Sequence, residues 1–97
     1  MMNVEKNKHK LDVILQGDFN LNAVRQISSL LKDRTELTID LINARFVTSK
    51  AVIYMHGLMY ADSPVTIKIK NPPKIFFELL KALGLHKMWN LEEIVQP

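Results

Sequence analysis

Apolar and polar residues alternate from Leu11 to Gln16, with Leu11, Val13 and Leu15 on one side and Asp12, Ile14 and Gln16 on the other. A period of two is that of a half-buried strand. Leu37, Ile39 and Leu41 repeat it against Thr38, Asp40 and Ile42, and Val65, Ile67 and Ile69 against Thr66, Lys68 and Lys70. Between these runs the apolar spacing lengthens to three and four. Leu21, Val24, Ile27, Leu30 and Leu31 predict a helix over residues 21–32, with Asn20 as its N-cap. Val52, Met55, Leu58 and Met59 predict a second over 49–60, which Ser49 can cap and which ends before Pro64. Ile75, Phe76, Leu79, Leu80 and Leu83 predict a third, opened by Asn71-Pro72-Pro73. Gly84 suits the left-handed position after that helix, and a short closing helix is expected around Glu92.

The order is β-α-β-α-β-α. Helical connections between strands imply parallel neighbours and right-handed crossovers. Strands covered on both faces would read as continuous apolar runs. All three here alternate, so an α/β domain with helices mainly on one face of a mostly parallel sheet is expected.

Ninety-seven residues allow one domain and one modest core. The net charge of +3 invites a nucleic-acid reading, but its location argues against one. Residues 1–10 hold Lys6, Lys8 and Lys10 against Glu5, whereas the remaining chain is nearly balanced. Residues 1–10 therefore read as a flexible basic tail and 11–97 as the folded domain, with no basic face of the kind that tracks phosphates. Without cysteine, disulfides and thiolate metal sites are excluded. The first ten residues lack the apolar centre of a signal peptide, and no apolar run approaches the ~20 residues of a membrane span. A cytoplasmic protein without membrane insertion is the expectation.

The usual catalytic constellations are missing. Gly17, Gly57 and Gly84 have none of the spacing of a phosphate loop, and His9, His56 and His86 lie far apart without a metal-binding pattern. His56 falls between the apolar positions of its helix and is expected to be exposed. Met55 and Met59, four apart, read as core filling. Asp18 and Asp40 sit near strand ends, where turn chemistry accounts for them. No enzyme, cofactor or metal is expected. The segment Thr48-Ser49-Lys50 stands apart, because binding sites in α/β sheets gather where strands hand over to helices. Free amides and the helix dipole favour an anion there, and Lys50 places a cation against that dipole at a cost on the order of 0.3–1 kcal/mol if exposed.

Several pieces, in order, resemble the STAS domain shared by sulphate transporters and anti-sigma factor antagonists. Gln16-Gly17-Asp18-Phe19-Asn20 is similar to the family's opening strand and its Gly-acid-Leu turn. Leu37-Thr38-Ile39-Asp40-Leu41 resembles its central strand ending in Asp-Leu. Phe46-Val47-Thr48-Ser49-Lys50-Ala51 aligns with a loop usually written apolar-apolar-Asp-Ser-Ser/Thr-Gly. Ile67-Lys68-Ile69-Lys70-Asn71-Pro72, Leu80 and Gly84-Leu85 resemble the late strand, its Asn-Pro turn and the following helix end. The resemblance implies a four- or five-stranded STAS-like sheet and a binding module. It also implies that a kinase-like anti-sigma factor phosphorylates the loop's second hydroxyl, whose charge breaks the complex. Carried over, the family's Asp falls on Thr48, its first Ser on Ser49 and its phosphoacceptor on Lys50, which cannot take the phosphate. Ser49 or Thr48 remain as possible phosphorylation sites, and Ala51 replaces a glycine of the turn.

The expected function is a regulatory interaction module, anti-sigma factor antagonist-like, that binds a protein partner through Thr48, Ser49 and Lys50 and the following helix. The partner is then a kinase-like anti-sigma factor. The alternative is a soluble accessory subunit of an ABC-type lipid-transport complex, with a transport ATPase subunit as partner. No nucleic-acid partner is expected.

Overall fold

A computed structural model describes residues 2–96. Its elements are β1 (Met2–Lys6), β2 (Lys10–Leu15), α1 (Leu21–Leu31), β3 (Glu36–Asp40), α2 (Ser49–Met59), β4 (Thr66–Lys70), α3 (Lys74–Ala82), α4 (Leu91–Ile94) and β5 (Val95–Gln96). The five strands form one sheet in the order β1-β2-β3-β4-β5. β1 runs antiparallel to β2, and the other neighbours are parallel.

The register shows why alternation governs the layering. Val13 pairs with Ile39 and Ile39 with Ile69, so the inward residues of β2, β3 and β4 form continuous apolar rows. Leu11, Leu37, Ile39 and Ile69 are completely buried beneath Val24 and Ile27 of α1, Val52 and Met55 of α2, and Phe76 and Leu80 of α3. Each such side chain contributes roughly 1.5–3 kcal/mol by leaving water. The opposite face carries Asp12, Thr38, Thr66, Lys68 and Lys70, with Ile14 40% exposed among them. Thr38 is nevertheless buried, because the register places Asp12 on one side of it and Lys68 on the other.

The stretch expected to be a flexible tail is an ordered edge strand over Met2–Lys6, and residue 1 lies outside the described residues. Val4 pairs with Val13, and Met2 and Val4 pack against the core while Asn3 and Glu5 face out. The turn that returns the chain has no glycine or proline to announce it. Asn7 makes it instead, its Oδ1 accepting from the amides of His9 (3.1 Å) and Lys10 (2.8 Å), while its own amide donates to the Lys10 carbonyl. The Arg34 Nε then donates to the Asn7 carbonyl at 2.8 Å, tying the turn to the end of α1.

The closing segment is more ordered than its sequence implies. His56 is half-buried, not exposed, and its Nδ1 accepts a 2.9 Å hydrogen bond from the indole of the buried Trp89. Tyr60, with its ring 4.7 Å from that of His56, donates its hydroxyl to the Met88 carbonyl at 3.0 Å. Gly84 takes the left-handed φ of +74° expected of it, and Leu85 turns back to donate to the Leu80 carbonyl.

Two measurements check this arrangement. Removing residues 1–6 is expected to lower the denaturant midpoint clearly, because it strips β2 of its antiparallel partner and leaves it an edge strand paired only to β3; an unchanged midpoint would mean that β1 adds nothing. His56→Phe leaves the buried Trp89 N–H without an acceptor and is expected to cost about 1–3 kcal/mol in urea unfolding.

Candidate functional site

The connection from β3 to α2 is held at both ends. At its start, the Asp40 carboxylate accepts from the Ile42 amide (3.0 Å) and from Asn71 Nδ2 (2.9 Å), and the Leu41 amide donates to the Lys70 carbonyl (2.9 Å). Turn chemistry thus accounts for Asp40. Asn43 Nδ2 reaches the Gln16 side chain at 3.1 Å. At its end, Phe19 and Val47 form a parallel bridge: the Phe19 amide donates to the Phe46 carbonyl, and the Thr48 amide to the Phe19 carbonyl. Phe19, Leu41 and Val47 are buried, anchoring the connection to the core from three points.

The polar corner that follows is therefore displayed on a fixed base. Thr48, and not Ser49, is the N-cap of α2: it has extended backbone, and its Oγ1 accepts from the Ala51 amide at 3.3 Å. Ser49 is already helical and half-buried, and its hydroxyl has no hydrogen-bond partner among the described residues. Ala51 lies inside the helix with no exposure, so the turn does not require the freedom of a glycine at that position.

Lys50 is exposed in the first turn of α2, and Arg45 is exposed in the loop before it. Neither forms an ion pair; among the described residues the only such pair joins Lys10 to Asp12 at 3.7 Å, on the open sheet face. Large apolar side chains of the same loop and helix are also unsheltered, Ile42 at 59%, Phe46 at 64% and Ile53 at 53% exposure. Exposed large apolar side chains on a pinned loop and the helix after it suit docking against another surface. The structure thus places Thr48, Ser49 and Lys50 at the start of α2 and leaves Ile42 and Phe46 exposed in the loop before it and Ile53 exposed in the helix. The signal for Ile53 lies in the sequence, three positions after Lys50 on the side of α2 away from Val52 and Met55.

No group of three or more histidines and carboxylates among the described residues could hold a metal ion. Among those residues no helix is long and apolar enough to cross a membrane.

No protein-family model matches the chain, and no curated protein does. Among solved structures it is similar to the anti-sigma factor antagonist SpoIIAA, solved in its unphosphorylated form. That likeness has a TM-score of 0.69 at 19% identity and covers 99% of this chain and 86% of SpoIIAA. The fold is the STAS fold: a mostly parallel five-stranded sheet with four helices.

The structure moves the cap from Ser49, where the sequence reading puts it, to Thr48. Thr48→Ala is expected to lower stability by about 1 kcal/mol, whereas Ser49→Ala stays near neutral. Equal losses in paired thermal melts would put the cap elsewhere.

Proposed function

We propose that the protein is a regulatory protein–protein interaction module of the anti-sigma factor antagonist kind. It binds a protein partner through residues 46–50 and the outer side of α2. The observation that carries this reading is the corner Thr48-Ser49-Lys50, with Thr48 and Lys50 exposed, between exposed Phe46 on a loop anchored by Phe19 and Val47 and exposed Ile53 in α2. Its support from outside the chain is the fold shared with SpoIIAA.

The binding is independent of the standard phosphorylation switch. Lys50 occupies the position that the resemblance assigns to the phosphoacceptor, and an ammonium cannot be phosphorylated by that route. It supplies a fixed positive charge where a phosphate would bring a negative one. Thr48 already spends its hydroxyl on the cap, and Ser49 is half-buried, so neither presents the free, exposed hydroxyl a kinase requires. The module accordingly binds constitutively, and its partner carries an acidic group opposite Lys50.

Lys50→Glu reverses the charge and is expected to weaken capture of the partner while leaving the circular dichroism spectrum unchanged. Equal recovery by wild type and variant would place the contact elsewhere. Incubation with a kinase-like anti-sigma factor and ATP, followed by mass spectrometry, is expected to leave Thr48 and Ser49 unmodified. Phosphate on either residue would restore the switch and overturn constitutive binding. Copurification with a transport ATPase in place of such a kinase would favour the accessory-subunit alternative.

A further inference from the structure

α2 departs from the pattern of its neighbour. α1 buries Val24, Ile27 and Leu31 and turns Asn22, Arg25, Gln26 and Ser29 to solvent. α2 buries Ala51, Val52 and Met55 but leaves Lys50, Ile53 and Gly57 exposed, followed by its exposed C-cap Tyr60, with Ile53 and Tyr60 more than half exposed. These four positions are spaced three, four and three apart, the seam spacing of paired helices. Gly57 is the informative member. It costs a helix interior about 1 kcal/mol relative to alanine, yet nothing in its own chain requires it. Its φ is not positive, and a Cβ there would meet nothing within 4 Å. The notch it leaves opens only outward.

The geometry points to a second copy of this chain as the occupant of that seam, its α2 running antiparallel about a twofold axis. In that orientation a three-four-three seam pairs crosswise, Ile53 against Gly57 and Lys50 against Tyr60. The isoleucine of each copy fills the glycine notch of the other, as a twofold contact requires. Each Lys50 lies by the Tyr60 ring, a favourable cation–π arrangement. It also lies beside the C-terminal end of the opposing helix, whose dipole favours the cation that its own N-terminus disfavours. Tyr60 is held for this contact by its hydrogen bond to the Met88 carbonyl. Phe46, just before α2, and Met88, beside its far end, are 64% and 55% exposed, so antiparallel pairing sets an apolar end of each copy against the other. A parallel pair would instead oppose Lys50 to Lys50 and leave two glycines facing a void.

A seam of three helical turns is small beside the ~1,200 Å² of stable interfaces, so the pair is transient. The pairing does not depend on the function proposed above. That partner capture and self-pairing exclude each other, because both use α2, does rest on that reading.

Sedimentation velocity of the full chain, from micromolar to millimolar concentration, is expected to show a monomer–dimer equilibrium. Ile53→Lys and Gly57→Glu, at exposed positions, are each expected to weaken it by at least about ten-fold with the helical signal intact. The chain has no cysteine, so cross-linking reads the geometry directly. An oxidised mixture of Ile53→Cys and Gly57→Cys chains is expected to form the mixed disulfide faster than either chain couples to itself. A wild type that stays monomeric throughout, or a dimer that ignores both charge substitutions and gives no preferred mixed disulfide, would overturn the pairing. Because no partner protein is present, failure here leaves the capture experiment standing.

Discussion

One-sided burial of the sheet is the constraint from which the rest of the structure follows. Each parallel strand sends Leu, Val or Ile inward at every second position, and the register aligns these into rows across three strands. A slip of one residue would exchange every core side chain for Asp12, Thr38 or Lys68. The helices must then lie on the apolar side, and each strand-to-helix connection emerges at the same end of the sheet. The polar corner at Thr48-Ser49-Lys50 is a product of that topology before it is a product of its own residues.

Rigid support distinguishes this corner from an ordinary surface loop. Asp40 and Asn71 close the turn after β3, and the short bridge between Phe19 and Val47 closes the approach to α2. Thr48 satisfies an amide of the first helical turn, so its hydroxyl is committed to the fold. Lys50, exposed in the first turn of that helix, stands at the position to which the resemblance to the STAS loop carries the phosphoacceptor.

α2 is loaded from both ends. Its N-terminus carries the exposed corner, while His56 and Tyr60 tether its C-terminal half to the segment around Trp89. The tether fixes the direction in which Ile53, Gly57 and Tyr60 are displayed. Orientation of the outer seam and order in the closing segment are consequently one property of the molecule.

Alternation in the strands and three-four spacing in the helices were sufficient to order six of the elements, place Asn20 as a cap and put Gly84 in a left-handed conformation. Those features depend on local period and local backbone preference, which a chain carries within itself. The start of a helix at Ser49 was legible for the same reason, whereas the choice of Thr48, Ser49 and Lys50 as a site came from their place at that handover and from a likeness to a known loop. The edge strand Met2–Lys6 was not, because Met2 and Val4 give too short an alternation and the Asn7 turn lacks glycine and proline. Which of two adjacent hydroxyls caps α2, why His56 is half-buried, and how Thr38 comes to be covered were decided only in three dimensions. Each depends on a partner distant in sequence or on the angle at which the chain enters a helix, and side-chain periodicity records neither.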